Sequence, residues 1–166
     1  MKPFYSTPLL SPEIPLDDHS RQVIQDAYDK EQRKMAQLPT DDPLDPKRIS
    51  RVEITWDEMW AQPEVIQNTL ALETASIQAA AQHFAKLPID RIVMTGCGDS
   101  IASMMGVKLA YERLLGIQTD TVQALDFAYY HHSTANSRTL VICLSSSGAT
   151  TRTIEAMMAA RMAGAQ

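Results

Sequence analysis

The chain has 166 residues, 45% of them hydrophobic, and a formal net charge of −5 at pH 7. This length and apolar content are typical of one globular domain with a sizeable core. Because the chain has no basic stripe, and no apolar run as long as a membrane span or a signal-peptide core, we expect it to bind neither nucleic acid nor a membrane.

The first part of the chain, residues 1–54, is predicted to be an arm, because most of the nine prolines lie there and interrupt regular structure. Between its proline clusters, residues 18–38 have the spacing of an amphipathic helix. The residues expected on the inner face of this helix are Val23, Ile24, Ala27 and Met35. Such an arm is expected to pack on its own domain or on a partner subunit, and not to bind a small molecule.

Residues 55–166 are predicted to be the folded domain. Thr55 with Glu58 three residues later is a capping-box pattern, which predicts a helix start, and Pro63 suits the first turn of a second, longer helix. Pro88 is expected to close that helix. The residues predicted to share its apolar face are Ile66, Leu70, Ile77, Ala81 and Phe84.

Several aromatic and histidine side chains are interpreted as structural. Trp56 and Trp60 are expected to be core or docking residues and not a stacking platform. His83 lies near the apolar helix face without a partner that would activate it. The tandem His131 and His132 have no further ligand at metal-binding spacing, so we expect a surface loop and no metal site.

From residue 91 onward, short apolar strands alternate with helices. The predicted strands are a short one that runs from residue 91 to a glycine turn, then residues 118–124 and 140–144, and the predicted helices run from near residue 100 to 116, over 125–130, and from near 150 to 164. This order predicts an α/β fold in which a parallel sheet carries helices on both faces and binds ligands at the carboxyl ends of its strands. Cys97 and Cys143 each stand beside an apolar run, which indicates reduced, buried thiols and a cytoplasmic protein.

The stretch TLVICLSSSGATTRT, residues 139–153, joins a predicted buried strand to a helix through residues 145–150, which we call the serine loop. Serine hydroxyls and the unpaired N–H groups of a helix start together suit a phosphate. Ala149 and Thr150 follow Gly148 where a nucleotide-binding P-loop has lysine and serine or threonine, which favours a monophosphate. The simpler alternative is a serine-rich turn in which Ser147 or Thr150 is an ordinary N-cap.

A second turn, residues 96–100, reads GCGDS and is called the glycine turn below. It begins like a dinucleotide fingerprint, but Ile101 stands where the third glycine belongs, so we expect neither a nucleotide nor another cofactor. Ser100 offers a hydroxyl at a helix start, and Asp99 lies beside it at the mouth of the site. The simpler alternative is that Asp99 or Ser100 caps the helix.

Four segments follow one another in residues 59–166: WAQPEVIQNTL, TGCGDS, LLGIQTDTVQALDF and CLSSSGATTRT. Together they resemble the start of a sugar isomerase (SIS) domain, most closely the isomerase half of glutamine:fructose-6-phosphate amidotransferases and related phosphosugar isomerases and deglycases. The resemblance implies a flavodoxin-like three-layer fold and a sugar-phosphate ligand. It assigns phosphate binding to Ser145, Ser146, Ser147 and Thr150, with Ser100 adding to the cradle. It also implies that Gly98 and Asp99 of the glycine turn touch the sugar.

The chain departs from the family pattern at Asp99, where threonine is frequent, and at Ser146 and Ala149, where glutamine and glutamate are frequent. It contains only three of the strands that a complete domain of this family has. The catalytic glutamate, histidine and lysine of family members lie in later segments, so no catalytic residue is assigned here. We therefore expect a fragment of a longer two-domain protein, and the alternative is a truncated natural product.

The function that the resemblance implies is aldose–ketose chemistry on a phosphorylated sugar or amino sugar, by an isomerase, deaminase or deglycase. This chain would supply the phosphate-binding half and be inactive alone. The alternative is a non-catalytic sugar-phosphate sensor, although the acidic, proline-rich arm does not look like the helix-turn-helix module that such regulators carry. We expect a homo-oligomer.

Overall fold

The computed structural model describes residues 10 and 14, residues 16–37 and residues 46–166. It divides into two compact units, one made of Met1–Arg33 with Pro88–Gln166 and the other of Lys34–Leu87. The first unit contains a three-stranded sheet with its helices, and the second consists mainly of one long helix. Within the described residues, every helix is too short or too polar to cross a membrane.

The sheet is formed by strands β1 (Arg91–Gly96), β2 (Gln118–Gln123) and β3 (Thr139–Leu144), which lie in the order β2-β1-β3 and are all parallel. Helix α3 (Asp99–Leu115) connects β1 to β2. Three short helical segments connect β2 to β3: α4 (Ala124–Asp126), a π-helix (Phe127–His131) and a 3₁₀ helix (His132–Thr134). Helix α5 (Thr151–Met162) follows β3. The predicted α/β fold class, incomplete in this chain, is confirmed.

The side chains of β1 point alternately to the two faces of the sheet, and helices cover both faces. Ile92 and Met94 pack with Ile101 and Met104 of α3 on one face. On the other face, Val93 joins a cluster of small and aromatic residues from the β2–β3 connection and α5. The members of that cluster are Ala124, Phe127, Ala128, Ala135, Ala156 and Ala160. The central strand β1 is thus buried from both sides. Strand β3, which was predicted to be buried on both faces, lies instead at an edge of this three-stranded sheet, where residues 140–143 are half-buried and Leu144 is exposed.

Helix α1 (Asp18–Ala36) packs on α5. Ile24 is completely buried against Ala159, in a cluster that also contains Leu10, Ile14 and Leu16. Of the other residues predicted on the inner face, Val23 and Ala27 are half-buried, and the side chain of Met35 lies outside the described residues. The part of the arm around Ile24 therefore packs on its own domain, which is one of the two arrangements predicted for the arm.

Helix α2 (Pro46–Phe84) is longer than predicted. It starts at Pro46, a residue type that suits the first helical position, and not at Thr55. The capping-box prediction was wrong because Thr55 lies inside the helix, where its hydroxyl donates to the carbonyl of Arg51 (2.9 Å). Pro63 is also internal, and the helix ends at Phe84, before Pro88. The division of the chain at residues 54 and 55 stays a prediction.

The side chains of α2 are exposed along residues 50–83. Trp56 and Trp60 contact each other edge to face, with ring centroids 5.9 Å apart, and are 59% and 70% exposed. The prediction that these tryptophans are core residues was therefore wrong for this chain, whereas a docking role stays a prediction. His83, near the end of α2, is exposed and contacts Phe84 edge to face.

Candidate functional site

The two loops with predicted ligand-binding residues leave the sheet from neighbouring strands at the same edge. Gly96, at the end of β1, lies opposite Leu144, at the end of β3. From there the chain enters α3 on one face of the sheet and α5 on the other. In open α/β sheets, such a divergence of two adjacent connections forms a crevice in which ligands bind. The glycine turn and the serine loop begin at this crevice.

Gly96 permits the close approach of the two loops. A Cβ atom at this position would lie 2.8 Å from the carbonyl oxygen of Leu144 and 3.3 Å from the Cβ of Ser100. The first distance is shorter than a carbon–oxygen contact allows, so a larger residue would force the strands or the glycine turn to move. A residue without a side chain at position 96 therefore allows the end of β3 and the glycine turn to lie this close to β1.

Two hydrogen bonds join residues within the serine loop. The hydroxyl of Ser145 donates to that of Thr150 (3.1 Å), and the backbone N–H of Ala149 donates to the hydroxyl of Ser147 (3.2 Å). Gly148 has φ 64°, a left-handed conformation that glycine adopts without strain. Ser146 and Ser147 are exposed, whereas Ser145 and Thr150 are half-buried. The four hydroxyls thus lie on one short loop that a ligand can reach.

Thr150 occupies the N-cap position of α5, but no side chain caps the helix. Its carbonyl accepts the N–H groups of Thr153 (3.0 Å) and Ile154 (3.1 Å). The earlier N–H groups of α5 have no carbonyl partner within the helix, and its dipole places partial positive charge there. The ordinary-cap alternative is therefore not observed, because the Ser147 and Thr150 side chains bond within the loop.

The glycine turn starts α3 in a similar way. Gly98 holds the N-cap position with φ 54° and ψ −128°, a conformation that favours glycine. Asp99 is the first helical residue, is exposed and does not cap the helix, so the alternative of a cap at Asp99 or Ser100 is not observed. The N–H of Ser100 donates to the carbonyl of Cys97 (3.1 Å), which closes the turn. Ser100 is half-buried, next to Gly96.

A contact between Cys97 and Thr153 connects the glycine turn to α5. The hydroxyl of Thr153 donates to the Cys97 sulfur at 3.7 Å. Both cysteines are unpaired and partly buried. Burial raises the pKa of the Cys143 thiol to about 11, so this thiol stays protonated at neutral pH. Sequence reasoning did not find the Cys97–Thr153 contact, because it joins residues that are distant in the sequence.

The first turn of α5 also contains a buried ion pair. Arg152 donates to Glu155 at 2.7 Å, and the Glu155 side chain is completely buried. Burial acts to lower the pKa of Arg152, but the bond to Glu155 and its charge raise that pKa above the usual value. The spacing of three residues on a helix was the signal in the sequence that could have revealed this pair.

The remaining residues considered from the sequence are the tandem histidines His131 and His132. His131 ends the π-helix and His132 starts the 3₁₀ helix in the β2–β3 connection. Among the described residues, no three histidine, cysteine, aspartate or glutamate side chains form a group suited to a metal ion. The structure thus brings Gly98, Asp99 and Ser100 to the same sheet edge as Ser145, Ser146, Ser147 and Thr150. Ligand binding by these residues stays a prediction.

A scan of the chain against models of known protein families finds no match. Curated proteins do match. An isomerizing glutamine–fructose-6-phosphate aminotransferase of Methanothermobacter thermautotrophicus is 33% identical over 103 residues, which is 62% of this chain and 17% of that protein. The chain is related to the sugar isomerase domains. The predicted resemblance is confirmed.

Two further aminotransferases of the same description support this relationship. The one from Tropheryma whipplei is 30% identical over 112 residues, which is 64% of this chain and 18% of that protein. The one from Acinetobacter baylyi is 32% identical over 107 residues, which is 60% of this chain and 17% of that protein. The chain therefore spans less than a fifth of the length of each of these enzymes.

Proposed function

We propose that the serine loop binds the phosphate of a phosphorylated sugar or amino sugar, and that the chain is the phosphate-binding part of an isomerase, deaminase or deglycase. The observation that carries this proposal is the alignment of Gly96 with Leu144, which starts both loops at one sheet edge. The relatives support the ligand class, since they are described as acting on fructose 6-phosphate.

In this proposal the phosphate lies at the start of α5. It would receive hydrogen bonds from the hydroxyls of Ser145, Ser146, Ser147 and Thr150 and from the first N–H groups of the helix. Each bond to a charged phosphate oxygen contributes about 1.5 to 3 kcal/mol. Ser100 would add a donor from the other side of the crevice. To bind, the phosphate replaces the internal bond between Ser145 and Thr150, whose 3.1 Å length shows that the two hydroxyls converge.

Asp99 faces the sugar in this proposal, and not the phosphate. A carboxylate roughly 4 Å from one phosphate charge would cost about 1 kcal/mol in water and about 4 kcal/mol at an effective dielectric constant of 20. Turned toward the sugar, Asp99 accepts hydrogen bonds from hydroxyls or pairs with an ammonium group. Its exposed position at the start of α3 leaves the carboxylate free of a capping bond. An amino sugar phosphate is therefore the favoured ligand.

The chemistry of this ligand class is proton transfer between C1 and C2, which requires a base within hydrogen-bond reach of the carbon acid. We do not assign the role of this base to any of the ligand-binding residues. We also propose a cytoplasmic location, supported by the two unpaired cysteines, and a homo-oligomer, supported by the exposed apolar side chains of α2.

Calorimetry with matched ligands tests this function. Glucosamine 6-phosphate and glucose 6-phosphate should bind, whereas glucosamine and glucose should not, because the phosphate supplies the charge that the serine loop meets. Replacing Asp99→Asn should weaken the binding of glucosamine 6-phosphate selectively. If Asp99→Asn reduced the affinity for both phosphorylated sugars equally, the proposed contact between Asp99 and the amine would be ruled out. Equal binding of phosphorylated and unphosphorylated sugars would contradict the phosphate site itself.

A further inference from the structure

Helix α1 of the arm lies against α5 and runs in the opposite direction. Near the start of α1, the hydroxyl of Ser20 donates to the Met158 sulfur at 3.8 Å, and Ile24 packs with Ala159. Both partners lie in the second half of α5. The later part of α1 therefore approaches the first turn of α5, which directly follows the serine loop.

One hydrogen bond joins this later part of α1 to the first turn of α5. The hydroxyl of Thr151 donates to the Glu31 carboxylate at 3.1 Å. Thr151 is the first residue of α5 and is buried, and Glu31 is half-buried. Thr151 directly follows Thr150, whose hydroxyl accepts the bond from Ser145 in the serine loop. The arm thus holds a carboxylate close to the proposed phosphate site.

The Glu31 carboxylate lies where negative charge is favoured. The first N–H groups of α5 have no carbonyl partner within the helix, and the helix dipole adds partial positive charge there. A phosphate on the serine loop would be attracted by the same positive charge. Among the described residues, the ion pairs do not include Glu31, whereas Arg152 in the same turn is paired with buried Glu155. No ion pair therefore neutralises Glu31 there.

The two negative charges would be close enough to repel each other. From the bond between Glu31 and Thr151 and the covalent geometry of consecutive residues, the carboxylate lies at most about 13 Å from the Thr150 hydroxyl. The Debye length is about 30 Å at 0.01 M salt and about 3 Å at 1 M salt. The repulsion therefore acts at low salt and is screened at high salt.

We propose that Glu31 is an inhibitory residue, whose carboxylate lowers the affinity of the serine loop for phosphate while α1 lies on α5. This inference rests on the proposed function of the serine loop. Because coupling between two sites is reciprocal, bound phosphate weakens the contact between Glu31 and Thr151 by the same factor. An empty site thus holds the later part of α1 in place, and an occupied site loosens it.

Calorimetry with glucose 6-phosphate at about 0.01 M salt tests this proposal, because this sugar has no amine that Glu31 could attract. The variant Glu31→Gln keeps a side-chain oxygen for the Thr151 hydroxyl but removes the charge. It should bind about threefold to tenfold more tightly than the unchanged chain. Asp26→Asn, which removes one charge from an exposed position of α1, is the matched control and should leave the affinity unchanged. At about 1 M salt, Glu31→Gln and the unchanged chain should bind equally.

The outcomes separate this inference from the function on which it rests. Equal affinities of the unchanged chain and Glu31→Gln at low salt would overturn the inference alone. Absence of binding by both would overturn the proposed function as well. Circular dichroism verifies that Glu31→Gln is folded. If it is not, hydrogen exchange on the unchanged chain decides, because glucose 6-phosphate should speed exchange of the α1 amides, and an unaltered or slower exchange would contradict the coupling.

Discussion

At the scale of single residues, the identity of the site residues could be read from the sequence, but their spatial relations could not. The serines and Gly148 stand in one short segment, so their convergence is local and predictable. The approach of Gly96 to Leu144 depends on the register of two strands that are distant in sequence. The contact between Thr153 and Cys97 depends on it as well. No local sequence pattern predicts these long-range contacts.

Replacement of Gly96 by alanine tests the close approach. Since the new Cβ would lie 2.8 Å from the Leu144 carbonyl oxygen, we expect Gly96→Ala to lower the free energy of unfolding by about 1 to 3 kcal/mol. The matched control is Gly106→Ala, inside α3, where nothing lies within 4 Å of the new Cβ. There we expect a gain of up to about 1 kcal/mol, from helix propensity. Urea denaturation measures both, and equal effects would contradict the close approach.

At the scale of elements, the strands, α1, α3 and α5 could be predicted because their apolar periodicity and their glycines agree with the tertiary structure. Helix α2 shows where this reasoning failed. Thr55 and Glu58 match a capping box, yet the preceding residues continue the helix back to Pro46. A threonine hydroxyl bonds equally well to the carbonyl four residues earlier, so the pattern alone cannot separate a helix start from a helix interior.

The start of α1 carries a pH-dependent cap. The N–H of Ser20 donates to the Asp17 carboxylate (2.7 Å), and this bond lowers the pKa of Asp17 below its ordinary value of 3.8. A lowered pKa in the folded state means that the cap stabilises α1 above the pKa of the unfolded chain. That contribution is lost as the pH falls through the folded-state pKa.

Acid unfolding of two variants measures this cap. Asp17→Ala should lower stability at neutral pH and flatten the loss of stability at acidic pH, because the titrating cap is gone. Asp18→Ala, the next residue along, is the control and should keep the acid transition of the unchanged chain. Identical pH profiles for Asp17→Ala and the unchanged chain would show that Asp17 does not cap the helix.

At the scale of the whole molecule, the sheet unit buries its central strand, whereas α2 leaves large apolar side chains in solvent. Trp60 is 70% exposed and Leu72 is 77% exposed. Exposed apolar area of this kind favours association. The sequence predicted the apolar residues of α2 but not their exposure, because periodicity shows which side chains share a face and not what covers that face.

Sedimentation velocity measures the expected association. The purified chain should self-associate as its concentration rises, and the double variant Trp56→Ser, Trp60→Ser should shift the equilibrium toward the monomer. Gln78→Lys changes an exposed polar residue on the same helix and is the control, which should associate like the unchanged chain. A monomer at all concentrations, or an unaltered equilibrium in the tryptophan variant, would contradict this role of α2.

The most direct test of the account is calorimetry of glucosamine 6-phosphate binding to the double variant Ser147→Ala, Thr150→Ala. If the serine loop holds the phosphate, loss of two hydroxyl donors should weaken binding by roughly 3 to 6 kcal/mol, twice the value of one bond to a charged group. Ser133→Ala, which removes an exposed hydroxyl in the β2–β3 connection, should leave the affinity unchanged. Unchanged affinity in the folded double variant would contradict phosphate binding by the serine loop.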